Sequence, residues 1–221
     1  MTEGKLLRAF PIGNELITEV YGQDPSGKAV YAAATSNHGL DRQILKLDMK
    51  GKITYLTSVS GTHQATWNSD FTYFIDRFSS IQVPGRLSLV DSKGKELRVL
   101  DEAVNPIAME ALVTPELVEL KAADGTILNG RLFKPRNMEA GKQYPVVIYV
   151  YGGPHAQMVT NSWLGGGNLW MSWMAYQGYA VFTLDNRGSD NRGLEFEQVI
   201  HRNLGVVEME DQLAGVAYLK T

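Results

Sequence analysis

Residues 144–154 read YPVVIYVYGGP, and this stretch decides the fold. Six apolar or β-branched residues, 146–151, lie between Pro145 and a Gly-Gly-Pro break. Such a run predicts a strand that is buried on both faces, as in a parallel sheet. Open α/β sheets bind ligands outside the carboxyl ends of their strands, where paired glycines let the backbone approach a reacting group closely. Tyr151 is therefore expected on the rim of a cleft.

The elements after this stretch alternate between helix and strand. A helix is predicted over 168–177, stopped by Gly178, and a second buried strand over 179–184. A last helix is predicted over 206–220. The residues expected on the apolar faces of the two helices are Leu169, Trp170, Trp173 and Met174 in the first, and Val206, Met209, Leu213, Val216 and Ala217 in the second.

A predicted hairpin precedes the stretch. Its strands are 117–121 and 127–133, and Asp124-Gly125 forms the tip. Two antiparallel strands followed by strand, helix, strand and helix are the opening of an α/β-hydrolase sheet. The next elements should be a strand and a Gly-x-Ser-x-Gly nucleophile elbow, and the sequence ends before them.

The first hundred residues contain an internal repeat. Segment 24–33 returns as 67–76, and 44–56 returns as 87–100, in each case a polar turn beside β-rich runs. The spacing of about 43 residues fits one four-stranded propeller blade. Two blades are predicted, at approximately 10–60 and 61–104, with strands 16–21, 29–34, 43–48 and 53–57 in the first. Known propellers use about four to eight blades, so two cannot close a ring.

The predicted fold class is therefore mixed: two β-propeller blades followed by the N-terminal half of an α/β-hydrolase domain. Segment 101–115, with Asn105-Pro106 and Thr114-Pro115, is interpreted as a linker. The expected domains are 1–112, blades plus linker, and 113–221, a peptidase-type domain truncated before its nucleophile elbow.

Composition excludes several classes of function. The 221 residues contain no cysteine, which excludes disulfides, cysteine nucleophiles and thiolate metal sites. A net charge of -3 without a basic block argues against a general nucleic-acid binder. No run has the length of a membrane helix, and the N-terminus lacks the apolar segment of a signal peptide.

Four motifs resemble one family of enzymes. They are VYGGPH at 150–155, LDNRGS at 184–189, FEQVIHRNLG at 196–205 and EMEDQ at 208–212. In combination they resemble the dipeptidyl peptidase IV branch of the prolyl oligopeptidase family of serine peptidases. The resemblance implies that the blades are the last two of eight, and that Tyr151 donates its hydroxyl to the oxyanion of the tetrahedral intermediate.

The resemblance also implies a substrate. A peptide would lose its N-terminal dipeptide, with proline or alanine at the second position, and neither cofactor nor metal is expected. Relatives are often exported in bacteria or presented on cell surfaces, so the resemblance implies a periplasmic or cell-surface location, although this sequence carries no signal for either. An acylaminoacyl peptidase or oligopeptidase relative is an alternative within the class.

The rest of a serine peptidase site is missing from the sequence. Gly-x-Ser-x-Gly does not occur, and none of the histidines follows the carboxylates Glu208, Glu210 and Asp211, as the order Ser, Asp, His requires. The histidines are His38, His63, His155 and His201. The family's second oxyanion donor and its paired glutamates, which belong to an earlier propeller insertion, are absent too. The chain alone is thus expected to be inactive, and to be poorly soluble or oligomeric because its half-sheet is uncovered. A non-catalytic binding or assembly module is the alternative from another class.

The other polar candidates have structural interpretations. His155 is interpreted as a loop histidine, Asp185 and Arg187 as an ion pair that shapes a loop, and Ser189 as a turn residue. The acidic residues Glu208, Glu210 and Asp211 are expected on a solvated helix face, without the histidine that a metal site would add.

Two apolar or glycine-rich features are interpreted in the same way. The glycines 165–167 lack the Lys-Ser/Thr of a phosphate loop. Trp163, Trp170 and Trp173 are expected to pack in the core or against the propeller.

Overall fold

A computed structural model describes residues 4, 6, 8–107 and 113–220, and it contains two sheets. The eight strands of the first sheet form two four-stranded units, which we call blade 1 (residues 17–55) and blade 2 (residues 62–102). Blade 1 contains β1 (Ile17–Gln23), β2 (Ala29–Ser36), β3 (Asp41–Asp48) and β4 (Ile53–Tyr55). Blade 2 contains β5 (Thr62–Trp67), β6 (Tyr73–Ser79), β7 (Arg86–Asp91) and β8 (Glu96–Glu102). The predicted two-blade arrangement is confirmed.

The repeat extends to individual hydrogen bonds. In blade 1, Asp48 closes the β3–β4 turn by accepting the Lys50 amide at 2.6 Å. In blade 2, Asp91 accepts the Lys93 amide at 2.8 Å in the β7–β8 turn. A glycine in the left-handed region follows each aspartate, Gly51 with φ 103° and Gly94 with φ 84°. The two Lys-Gly-Lys turns are therefore built alike.

The two turn glycines differ in their surroundings, and we expect their alanine variants to differ in stability. A Cβ at Gly94 would lie 2.5 Å from the backbone oxygen of Leu56, whereas at Gly51 the nearest atom is the flexible Arg8 Nη1 at 2.7 Å. Left-handed strain alone costs about 1–2 kcal/mol, and overpacking against fixed backbone adds about 1–3 kcal/mol. Urea unfolding should show the larger loss of stability for Gly94→Ala. Equal losses in Gly94→Ala and Gly51→Ala would contradict the steric argument.

Side-chain packing, more than backbone pairing, joins the blades. β3 and β5 share a single bridging pair, Arg42 and Thr62. Across the seam the Tyr31 ring lies 4.3 Å from that of Trp67 and 5.2 Å from that of Phe71. One buried cluster draws residues from both blades: Ala29, Tyr31, Ala33, Ile44 and Leu56 with Ala65, Phe74 and Val90. Face-to-face packing of this kind is what neighbouring propeller blades require.

The second sheet, which we call the hydrolase sheet, has four strands and a helix on each face. Its strands are β9 (Glu116–Lys121), β10 (Ile127–Phe133), β11 (Val146–Ile148) and β12 (Ala180–Asp185), in the order β11-β12-β10-β9. Only β11 and β12 are parallel. The helices are α1 (Leu169–Tyr176), α2 (Leu194–Glu197) and α3 (Val207–Tyr218). This arrangement is the predicted opening of an α/β-hydrolase sheet, so the mixed fold class is confirmed.

β12 is one of the two inner strands of the hydrolase sheet, whereas β11, which the stretch at 144–154 forms, is an edge strand among the described residues. All six residues of β12 are buried, as predicted. By contrast, β11 has only three residues, and Val146, Ile148 and Val150 are exposed. The predicted burial on both faces is wrong because β11 pairs only with β12 within the described residues, which leaves it at the edge of the sheet.

The ends of α1 agree with the prediction. The Asn168 side chain accepts the Met171 amide at the N-cap. After the helix, Gly178 adopts φ 95°, its amide donates to the Ala175 carbonyl, and the Tyr179 amide donates to the Met174 carbonyl. This pair of bonds is a Schellman motif, which explains the stop at Gly178.

The predicted apolar faces of α1 and α3 are wrong for most of their residues, although Met174 of α1 packs against the core as predicted. The buried residues of α1 are Met171, Ser172 and Ala175, whereas Leu169, Trp170 and Trp173 are exposed. Of the three tryptophans, Trp163 alone packs against this core.

In α3 the buried residues are Glu208, Asp211 and Gly215, and Val206, Met209 and Leu213 are exposed. Gly215 explains why α3 turns this face, and not the predicted one, toward the sheet, because a Cβ there would lie 2.9 Å from the Phe182 ring. The helix therefore approaches the sheet through its smallest residue.

Residues 108–112 of the expected linker lie outside the described residues, and the boundary at 112 and 113 stays a prediction.

Candidate active site

Tyr151 lies three residues beyond the carboxyl end of β11, with 59% of its surface exposed. Immediately after it the backbone turns through Gly152, which adopts φ 76°. A Cβ at Gly153 would lie 3.3 Å from the Tyr151 ring. Gly153 therefore leaves space beside the aromatic ring, and the predicted close approach of the paired glycines to a reacting group stays a prediction.

A buried asparagine ties this turn to the next strand and to α3. The Asn186 Nδ2 donates to the Gly152 carbonyl at 3.4 Å and to the Arg187 carbonyl at 2.7 Å. Its Oδ1 accepts a hydrogen bond from Gln212 of α3 at 3.0 Å. The backbone at Tyr151 is thus linked to the end of β12.

A buried arginine is hydrogen-bonded to the backbone of residues 152–162, which we call the Tyr151 loop. Arg131 of β10 is 1% exposed, and its Nη1 donates to the carbonyls of Met158 at 2.6 Å and Gly165 at 2.7 Å. Burial lowers the pKa of Arg131 to about 10, so the guanidinium stays charged at neutral pH. The guanidinium of Arg131 is therefore hydrogen-bonded to the first residue of the glycine-rich turn at 165–167.

Sequence reasoning did not single out Arg131. The signal was present, because a lone arginine stands inside the otherwise apolar and amide run of 127–133. A charged residue in a buried strand requires a partner, and here backbone carbonyls provide one.

Asp185, at the end of β12, binds backbone amides of the same loop through its carboxylate. Its Oδ1 accepts the Met158 amide at 2.8 Å and its Oδ2 accepts the Val159 amide at 2.9 Å. Burial raises the pKa of this carboxyl group to about 6, against the opposing effect of the two amides and Arg131. The expected ion pair with Arg187 is wrong, although Asp185 does shape a loop.

Because of Asp185, the free energy of unfolding should depend on pH. The pKa of Asp185 is about 6 in the folded chain and 3.8 in the unfolded reference, so the folded chain binds the proton more tightly. The stabilisation from this proton is complete below about pH 4 and is lost as the pH rises to about 6, a change of roughly 3 kcal/mol. Asp185→Asn cannot titrate, so the stability of the wild type relative to this variant should fall over that range.

Urea unfolding of both proteins at pH 4, 5, 6 and 7 measures this difference. A gap between wild type and Asp185→Asn that is the same at all four pH values would contradict the assignment.

Arg187 pairs with helix α3 instead of Asp185. Its Nη2 and Nε donate to Asp211 at 2.7 and 3.0 Å, and its backbone amide donates to the same carboxylate at 2.8 Å. The outer nitrogen Nη1 reaches Asp124 in the β9–β10 turn at 2.6 Å. Asp211 is 1% exposed and Glu208 is also buried, so the expected solvated acidic face is wrong for both; Glu210 is exposed.

The remaining candidates are His155 and Ser189. His155 is exposed and its Nδ1 is 3.1 Å from Glu197. Ser189 is buried, and its amide donates to the Asn186 carbonyl, as expected for a turn residue. In the described part of the chain no hydrogen bond joins a serine to a histidine, and no three acidic or histidine side chains are grouped to hold a metal.

Among the described residues, no helix is long and apolar enough to cross a bilayer.

The fold and this site define part of an α/β-hydrolase whose sheet is joined to propeller blades. Comparison with known proteins supports the same class. The family model described as the prolyl oligopeptidase family matches residues 168–221. Human dipeptidyl peptidase 8 is 31% identical over 209 residues, which are 89% of this chain and 23% of the human protein.

Two solved structures resemble the chain along almost all of its length. A Bacteroides ovatus protein, provisionally assigned as a dipeptidyl aminopeptidase IV, is 41% identical with a TM-score of 0.88. Dipeptidyl peptidase 4 of Porphyromonas gingivalis is 30% identical with a TM-score of 0.86. In both cases the match covers 98% of this chain and 31% of the other.

In these matches the chain resembles the dipeptidyl peptidase IV branch of the prolyl oligopeptidase family. It spans about a quarter of the length of the curated relatives that it matches.

Proposed function

We propose that these 221 residues are part of a serine-type dipeptidyl peptidase, which removes dipeptides from the amino termini of peptides with proline or alanine at the second position. Residues 1–112 supply two propeller blades and a linker, and residues 113–221 supply the first part of the peptidase domain. The observation that carries the proposal is the position of Tyr151, exposed beyond the carboxyl end of a strand in a hydrolase sheet. Ligands of such sheets bind at this end.

The proposed role of Tyr151 is to stabilise the oxyanion. A serine outside these residues attacks the scissile carbonyl, a histidine outside them takes the proton of that serine, and the carbonyl oxygen becomes negatively charged. The phenolic O–H of Tyr151 donates a hydrogen bond to this oxygen. A donor fixed before the reaction costs no reorganisation during it, and Asp185 and Arg131 hold the backbone that follows the donor.

The free edge of β11 suggests where the strand that leads to the nucleophile pairs with the sheet. β11 is parallel to β12 and has no second partner among the described residues. A further strand paired at that edge would place its own carboxyl end beside Tyr151, because parallel strands end at the same side of a sheet. Under the proposal these 221 residues alone are inactive, because their sequence contains no Gly-x-Ser-x-Gly nucleophile motif.

The proposal is tested with the longer polypeptide from its source. Its intact mass is measured, and its activity is assayed on Gly-Pro and Ala-Pro chromogenic substrates with and without a serine-directed phosphonate. Activity that the phosphonate abolishes is the expected result. A longer polypeptide that cleaves internal peptide bonds or acylated amino termini instead would favour the oligopeptidase or acylaminoacyl peptidase alternative.

The 221 residues purified alone are expected to associate. Exposed apolar residues lie on α3, at Met209 and Leu213, and along the free edge strand, at Val146 and Ile148. Uncovered apolar surface and a free strand edge both favour association. Light scattering should detect oligomers or aggregates; a monodisperse monomer would contradict this expectation.

A further inference from the structure

The Tyr151 loop reaches across to the propeller blades through Asn161. This residue is ten positions after Tyr151 and is 9% exposed. Its backbone amide donates to the Leu40 carbonyl of blade 1 at 2.8 Å. Its own carbonyl accepts a hydrogen bond from Thr62 Oγ1 of blade 2 at 3.1 Å. The main chain of Asn161 is thus bonded to both blades.

The side chain of Asn161 is used in the same way. Its Nδ2 donates to Asp41 Oδ1 at 2.8 Å and to Ser60 Oγ at 2.9 Å. Its Oδ1 accepts the Ile81 amide at 3.3 Å. Every polar group of Asn161 is therefore paired with the blades, at the seam where β3 and β5 meet through one bridging pair. A loop residue that only needed solubility would not be built into a buried network of this kind.

A second loop residue reinforces the contact. Gln157 Nε2 donates to the Gly39 carbonyl at 2.7 Å, and its Oε1 accepts Arg42 Nη2 at 2.6 Å. Between Gln157 and Asn161 the loop is bonded to the hydrolase sheet through Asp185. The segment that begins at Tyr151 is consequently fixed to the sheet and to the blades at once.

We infer that Asn161 is a positioning residue, which locks the Tyr151 loop to the seam between the blades and thereby sets the place of the Tyr151 hydroxyl. The inference rests on the proposed function, because it assigns Asn161 a role through the oxyanion donor. An enzyme in which the Tyr151 hydroxyl is displaced still binds substrate, but it stabilises the transition state less. The effect should therefore fall on kcat more than on KM.

The test compares variants of the longer, active polypeptide. Asn161→Asp puts a carboxylate against the buried carboxylate of Asp41, and we expect kcat to fall about 10- to 100-fold, as for a misplaced catalytic group. The exchanged pair Asp41→Asn with Asn161→Asp restores one amide opposite one carboxylate, and should recover kcat to within about threefold. Asn137→Asp, the same change at an exposed site, is the matched control and should leave kcat unchanged.

A double-mutant cycle separates positioning from general damage. In a Tyr151→Phe background the donor is already absent, so Asn161→Asp should lower kcat by less than about threefold further. Thr62→Val removes one bond to Asn161 without adding charge, and keeps the test open if Asn161→Asp does not fold. Its smaller effect on kcat should likewise disappear in the Tyr151→Phe background.

The outcomes distinguish this inference from the proposed function. If Tyr151→Phe lowers kcat but Asn161→Asp and Thr62→Val act equally in both backgrounds, the positioning role is overturned and the oxyanion role stands. If Tyr151→Phe leaves kcat unchanged, the oxyanion role fails and the inference falls with it.

Discussion

Replacing Tyr151 by phenylalanine is expected to lower kcat of the longer polypeptide by about 100- to 1,000-fold, the usual effect of losing one oxyanion donor. Phenylalanine keeps the ring that packs beside Gly153, so the local fold should be retained. Because the hydrogen bond forms as charge develops on the substrate oxygen, KM should change by less than about twofold. Steady-state kinetics on an Ala-Pro chromogenic substrate measure both quantities.

Tyr149→Phe is the matched control. Tyr149 is also exposed, lies two residues earlier and loses the same hydroxyl group in the variant. It should retain full activity. A similar loss in both variants, or a loss in Tyr151→Phe that appears only in KM, would contradict the oxyanion role.

Breaking the Arg187–Asp211 pair is expected to have the largest effect on stability. Arg187→Met leaves the Asp211 carboxylate, 1% exposed, without its cation, and removal of one partner of a buried pair costs about 3–5 kcal/mol. The pair joins the end of β12 to α3, and Asp124 extends it to the β9–β10 turn. The free energy of unfolding should fall accordingly in urea titrations.

Two further variants show whether burial is the cause. Lys142→Met breaks the exposed pair with Glu139 and should cost less than about 1 kcal/mol. Arg187→Met combined with Asp211→Leu removes both charges and should recover most of the loss. The explanation by burial would be refuted if Arg187→Met and Lys142→Met were equally destabilising.

The sequence predicted elements better than it predicted their burial. The run at 179–184 and the run at 146–151 are equally apolar, yet β12 is buried and β11 is exposed at an edge. An apolar run reports that a strand prefers burial; which strands flank it is decided by pairing with distant segments. Edge and centre cannot be distinguished from the run alone.

Helix orientation was mispredicted for a related reason. Helical spacing in α3 selected Met209 and Leu213 as the buried face, whereas the structure buries Asp211 and Gly215. The cation that pairs with Asp211 comes from Arg187, 24 residues earlier, and the close approach at Gly215 depends on the ring of Phe182. Periodicity counts hydrophobicity and contains neither contact.

The candidate site was predictable only where a motif marked it. Tyr151 followed from the Gly-Gly-Pro context and the resemblance, and its role remains a prediction. Asn161 and Gln157 gave no signal, since polar residues in a loop have no period and their partners in the blades lie 80 residues away or more. Such tertiary hydrogen bonds become visible only in the folded chain.

The weak backbone connection between the blades has a consequence for how such proteins diversify. Each blade closes its own ladder of hydrogen bonds and meets its neighbour through one bridging pair and a cluster of aromatic rings. Recombination could therefore replace one complete blade as a unit. A chimaera would need to preserve the surface formed by Tyr31, Trp67 and Phe71 and the groups that receive Asn161, while the outer strands could diverge freely.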